Sequence, residues 1–133
     1  MTTIESKKVD VNASQQEVFD FLIDLNNLKE LLPQDKISDW RSTADSCSFK
    51  VMGAYTIGLE KKSESAPDQI VLKSTENSPF PFTLDIGIAE NGSNTTAGLV
   101  SQVDVNPFMK MMVQKPLQNL FDYIAEQLHL KYN

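Results

Sequence analysis

Few side chains in this sequence are equipped for covalent or acid–base chemistry, and none of them stands in a catalytic spacing. His129 is the only histidine and lies close to the C-terminus. A helix end there favours a cation, and a Ser-His-Asp triad built on so terminal a position would lack a rigid frame. Cys47 is the only cysteine, which rules out an intramolecular disulfide and a thiolate cluster. It shares its phase with Phe49, so a buried, inert thiol is expected. No histidine pair, cysteine pair or dense carboxylate set offers metal ligands. The five glycines, at 53, 58, 87, 92 and 98, form no phosphate-binding loop. The remaining polar candidates are Asp39, Arg41, Tyr55, Asp85, Ser101 and Asp104. Tyr55 is in phase with Ile57 and Leu59, so its hydroxyl can orient a ligand carbonyl or hydroxyl, or act as a weak acid. Ser101 is in phase with Leu99 and Val103. Neither has a partner base. The chemistry on offer is therefore non-covalent: apolar walls with one or two orienting hydroxyls. No catalytic residue, metal or cofactor is expected.

The elements that must position these groups are legible from periodicity. Thr3 to Val11 reads as a first strand. Ser14-Gln15-Gln16-Glu17 is a capping box, and Val18, Phe19, Phe21, Leu22 and Leu25 follow at helical spacing. Asn26-Asn27 breaks that helix, and Leu28, Leu31 and Leu32 suggest a second short one ended by Pro33. From Lys36 to Val105 the period changes to two. Turns are marked at Gly53-Ala54, Ala66-Pro67-Asp68 and Asn91-Gly92, the last a hairpin signal. Trp40, the only tryptophan, alternates out of phase with Ile37, which predicts the opposite face of its strand and a role as an anchor. Phe80, between Pro79 and Pro81, is expected to cap one end of the core rather than to gate it.

Asn106-Pro107 then opens a long amphipathic helix, with Asn as N-cap and Pro in the first turn. At 100° per residue, Met109, Val113, Leu117, Leu120 and Ile124 fall in one sector. Met112 and Pro116 flank it on one side, Phe121 and Leu128 on the other. Gln114, Lys115, Gln118, Asp122, Ala125 and Glu126 form the opposite face. Pro116 inside the helix predicts a kink near Met112; the alternative is a helix that begins near Lys115. Phe108 and Met111 fall toward the polar side, as scattered surface residues or as part of a cavity mouth or dimer contact.

The 133 residues suit one domain, 1–133, able to bury a core without staples. A net charge of −6 argues against nucleic acid and against a polybasic membrane patch. MTTIESKK has no apolar signal core, and no segment approaches the ~20 apolar residues of a membrane span. A cytoplasmic protein without stable membrane insertion, monomeric or homodimeric, is expected.

The order strand, two short helices, six strands and a long C-terminal helix is similar to that of the START-like superfamily, which includes Bet v 1-type allergens, polyketide cyclases and lipid-transfer domains. The stretch VNASQQEVFDFLIDLNNLKELLP, residues 11–33, resembles the opening of that family, with Val18-Phe19 and Leu32-Pro33 carrying the likeness. The C-terminal helix, Met109 to Leu128, is the second point of similarity. The resemblance implies an α+β helix-grip fold: a curved seven-stranded antiparallel sheet, two short helices after the first strand, and a long C-terminal helix packed across the sheet. It also implies a cavity between the two layers for a lipid, polyketide-like or other aromatic molecule.

On that expectation, Phe49, Val51, Tyr55, Ile57 and Leu59 line the cavity from two central strands. Phe82, Leu84, Leu99 and Ser101 continue the wall. Met109, Met112, Val113 and Leu120 close it from the helix, where methionine repacks readily around variable shapes. The bland alternative is that these residues simply fill the core. The functional expectation is non-covalent binding of a hydrophobic or aromatic small molecule. The alternatives are a cyclase- or aromatase-like enzyme relaying protons through Tyr or Asp, or an interaction module with a filled core.

Overall fold

A computed structural model describes residues 1–53 and 55–133. Its strands are β1 (Thr2–Glu5), β2 (Val9–Val11), β3 (Ile37–Ser42), β4 (Ser46–Val51), β5 (Tyr55–Ser65), β6 (Gln69–Ser74), β7 (Phe82–Asn91) and β8 (Asn94–Val103). They form one antiparallel sheet in the order β1-β8-β7-β6-β5-β4-β3, with β2 also on β8. Helix α1 (Gln15–Ile23) and a 3₁₀ helix (Leu25–Leu31) follow β2, and α2 (Pro107–Lys131) closes the chain.

The expected first strand is two strands, β1 and β2, and the reason is a register mismatch. Glu5 pairs with Val100 and Val9 with Ala97. Ser6, Lys7 and Lys8 therefore oppose only Leu99 and Gly98. One extra residue flips the side-chain phase, which is what lets Ile4, Val9 and Val11 all point inward and be buried. Ser6 repairs the ladder: its amide donates to the Leu99 carbonyl at 2.8 Å and its hydroxyl accepts from the Leu99 amide at 2.9 Å.

A second bulge re-aims Trp40. The β3–β4 register shifts between Ser38 and Arg41, and Asp39 takes φ +53°. The extra residue brings Trp40 onto the inner face, opposite to the phase expected from simple alternation. There it stacks on Phe49 with ring centroids 5.8 Å apart, so its anchoring role stands while its face is corrected.

The helix starts follow the sequence closely. Ser14 accepts from the Glu17 amide at 3.2 Å. Asp24 caps the 3₁₀ helix, which begins at Leu25, earlier than the expected second helix and as 3₁₀ rather than α. Asn106 accepts from the Met109 amide at 2.8 Å, with Pro107 in the first turn. Helix α2 runs unbroken through Pro116, so the alternative start near Lys115 does not occur. Gly53 (φ +68°) and Gly92 (φ +65°) serve the β4–β5 and β7–β8 connections; Ala54, expected to share the first turn, lies outside the described residues. Gly58 is needed for a close approach. A Cβ there would stand 2.0 Å from the Thr75 hydroxyl oxygen, because the loop after β6 folds over β5 and Ser78 bonds both the Gly58 amide and carbonyl.

The core lies between the inner sheet face and the helices. Alternate residues of β7 (Phe82, Leu84, Ile86, Ile88) are buried, as the period of two requires. Along α2 the buried face is Leu117, Phe121, Ile124, Ala125 and Leu128. Only Leu117 and Ile124 of the expected central stripe are fully buried; Met109, Val113 and Leu120 are half-buried. Ala125, expected on the polar face, is completely buried. The β1–β2 link explains this rotation by lying along the polar side of the helix. Lys7 donates its amide to Asp122 and its Nζ to Glu126, both at 2.7 Å, and Gln118 donates to the Glu5 carbonyl. The helix turns to meet these partners, and the small Ala125 is carried inside. Among the described residues its first half has no such attachments, and Phe108, Met111 and Met112 are 71%, 82% and 59% exposed.

Candidate functional site

The space between sheet and helix divides into a filled middle and an open end. In the middle, apolar side chains from both layers interlock. Among the described residues they leave a void of about 20 Å³ under Leu120 and Phe121 and one of about 10 Å³ near Leu128. Voids of that size sit near the limit for a single water. At the open end a groove of about 470 Å³ lies between α2 and the β4–β5 hairpin. Ile57, Leu117 and Leu120 line both the groove and the larger void. They form a thin apolar wall between mouth and interior.

Three elements build the groove. The β4–β5 hairpin contributes Val51, Met52, Tyr55 and Ile57. Met52 adopts φ +52° at the turn and is 73% exposed, so it stands at the lip. The exit of the 3₁₀ helix contributes Pro33, Lys36 and Ile37. This segment is pinned to the hairpin by the Met52 amide, which donates to the Lys36 carbonyl at 2.7 Å. Helix α2 contributes Pro116, Leu117, Asn119, Leu120 and Tyr123, a set spaced three and four residues apart along one helix face.

Of the expected ligand-binding residues, the groove gathers Val51, Tyr55, Ile57 and Leu120. Phe49, Leu59, Phe82 and Leu84 surround the small void with Ile57 and Leu120. Leu99 borders the second void. Ser101 is fully buried, and its hydroxyl donates to the Thr83 carbonyl at 2.7 Å. Met109, Met112 and Val113 line neither the groove nor the voids, and Met112 points largely to solvent.

The groove residues missed were Pro33, Lys36, Ile37, Met52, Pro116, Leu117, Asn119 and Tyr123. The helical pair carried a signal in the sequence: Asn119 and Tyr123 stand at i+3 and i+7 from Pro116, adjacent to the apolar stripe. Lys36 carried none, because it belongs to an irregular connection.

Tyr55 is 36% exposed, and partial burial raises its phenol above the ordinary tyrosine range. The hydroxyl therefore stays protonated at neutral pH and can donate or accept a hydrogen bond at the groove wall. The other reactive groups do not converge on it. Burial pushes the Cys47 thiol up to about 12. His129 Nδ1 lies against the Asp10 carbonyl. Asp39 pairs with Lys50 at 3.6 Å, and Asp85 accepts from Gln69 at 2.8 Å. Phe80 is buried against Phe82, with centroids 5.7 Å apart, at the end of the core. Among the described residues no group of His, Cys, Asp and Glu is placed to hold a metal ion, and no helix is long and apolar enough to cross a membrane.

A second groove, of about 490 Å³, lies on the outer face of the sheet across Gly87 and Gly98. Its lining includes the charged residues Glu5, Lys8, Asp68 and Asp85. The lining is mixed, with Ala89 and Val100 beside these charged residues.

No family model matches the sequence, and no curated protein matches it. Solved structures match it over nearly its whole length. The protein XoxI from Bacillus cereus superposes with a TM-score of 0.79 at 15% identity, covering 99% of this chain and 96% of that one. A START superfamily protein from Mycobacterium smegmatis gives 0.76 at 14% identity, covering 98% and 96%. Norcoclaurine synthase from Thalictrum flavum, a point mutant in complex with a transition-state analogue, gives 0.72 at 12% identity, covering 99% and 96%. At these identities the likeness is one of fold. The chain has the START-like, Bet v 1-like helix-grip fold that its order of elements implied.

Proposed function

We propose that this protein binds a hydrophobic or aromatic small molecule, non-covalently, in the groove between the β4–β5 hairpin and the middle of α2, Pro116 to Tyr123. The single observation that supports this most is the shared wall. A groove of about 470 Å³ and an interior void share Ile57, Leu117 and Leu120 in their linings. A ligand seated in the groove meets apolar side chains on both sides and can press into the interior where Leu120 is half-buried. Tyr55, Asn119 and Tyr123 supply polar atoms for orientation.

The test is thermal unfolding against a panel of fatty acids, flavonoids and small polycyclic aromatics. A molecule that binds only the native state raises the melting temperature by mass action. The substitution Leu120→Trp fills the groove from its half-buried edge. It should remove the upshift while leaving the melting temperature of the free protein within a few degrees. If no member of the panel shifts the wild type, the filled middle of the molecule is all there is, and the interaction-module alternative takes its place.

A further inference from the structure

The groove has a polarity of its own. The protein as a whole carries a net charge of −6, yet Lys36 is the only charged side chain among the described groove residues. Its neighbour Asp35 is exposed and does not line the groove. The α2 stretch that lines the groove, Pro116 to Tyr123, holds one acidic residue, Asp122, which does not line it and accepts from the Lys7 amide at 2.7 Å. Five ion pairs occur elsewhere among the described residues, and Lys36 takes part in none of them. The other polar groups at the groove, the Tyr55 and Tyr123 hydroxyls and the Asn119 amide, can all donate hydrogen bonds.

An apolar trough with one unpaired ammonium and several donors is matched to a particular kind of molecule. Resting on the groove reading above, we infer that the ligand is an amphipathic anion, an apolar body carrying a carboxylate or similar acid, with the acid held at the mouth by Lys36. The apolar body lies against Val51, Ile57 and Leu120, where burial supplies affinity without direction. The anion completes the hydrogen-bonding capacity of the ammonium, which stays at the lip because its stem can lie along apolar surface while its head remains near water. A neutral ligand of the same shape leaves Lys36 to solvent and gains nothing from it. A cationic one meets a like charge at the only charged position.

The experiment compares acids with neutral analogues of the same shape: decanoate with decanol, and naphthoate with naphthalenemethanol. Affinities are measured by calorimetry on the full chain at low salt. Each acid should bind about three- to tenfold more tightly than its alcohol, the range expected for one partly exposed charge-assisted contact. That margin should shrink as salt is raised. In Lys36→Met the preference of each acid over its alcohol should disappear, and Lys36→Arg should restore most of it. Equal binding of acid and alcohol by the wild type, or a preference that survives in Lys36→Met, overturns the anionic head group while leaving the apolar groove standing. Absence of binding by all four probes overturns both.

Discussion

Truncating Leu120 to alanine probes the thin wall on which the binding proposal rests. Full burial of a leucine makes Leu→Ala cost about 2–5 kcal/mol. Leu120 is only half-buried, with one side on the open groove, so part of that contact is already missing and the expected loss is ~1–2 kcal/mol. In a domain of this size the loss corresponds to a fall of roughly 3–10 °C in Tm. Leu117→Ala, at a position 4% exposed on the same wall, should show the full penalty and serves as the comparison. Leu120→Ala should also join the groove to the void beneath it, so bulkier apolar probes gain affinity relative to smaller ones. At a free concentration about 100 times its Kd, such a probe contributes about 2.7 kcal/mol, enough to offset the loss. Urea unfolding with and without probes measures both quantities. A loss of about 4 kcal/mol or more, with no change in the preferred probe size, would make Leu120 an ordinary core residue and refute the wall.

Two further predictions follow from local packing. Gly58→Ala should destabilise by about 1–3 kcal/mol, because its Cβ meets Thr75, whose hydroxyl is held by Asn77 at 2.8 Å; combining it with Thr75→Ala should recover part of the loss, and additive losses would contradict the clash. Cys47 should resist thiol reagents in the folded state and react on unfolding. Its folded pKa of about 12 lies above the ordinary thiol value of 9.0, so between those values the unfolded chain has lost a proton that the native state still holds. Stability attributable to Cys47 is thus intact below pH 9 and falls as pH rises toward 12, by about 1.4 kcal/mol per pH unit. Cys47→Ala should show a shallower alkaline decline than the wild type, and identical slopes would contradict the burial.

Much of the architecture was legible because it rests on local rules. The capping box at Ser14, the Asn106-Pro107 helix start and the alternation of Phe82, Leu84, Ile86 and Ile88 each report a neighbourhood a few residues wide. Such signals survive in any tertiary context that keeps the element. The departures occurred where one residue changes the phase of everything after it. Neither the extra residue at Ser6–Lys8 nor the bulge at Asp39 has a sequence signature, because a bulge is defined by the partner strand it fails to match. The face assigned to Trp40 failed for that reason.

The same distinction runs through the candidate site. The sequence by itself determined the fold class and an apolar inventory sufficient to line a hydrophobic site. Which of those side chains meet an open space was decided only in three dimensions. Periodicity gives the direction of a side chain about its own axis, while exposure depends on what else arrives there. Lys7, Asp122 and Glu126 draw the second half of α2 onto the β1–β2 link, carry Ala125 inside and leave Met112 in solvent. The middle of the molecule is filled, and the open space lies between the β4–β5 hairpin and residues 116–123 of α2. There the tertiary structure sets Lys36, a loop residue, beside Leu120, a helix residue far along the chain.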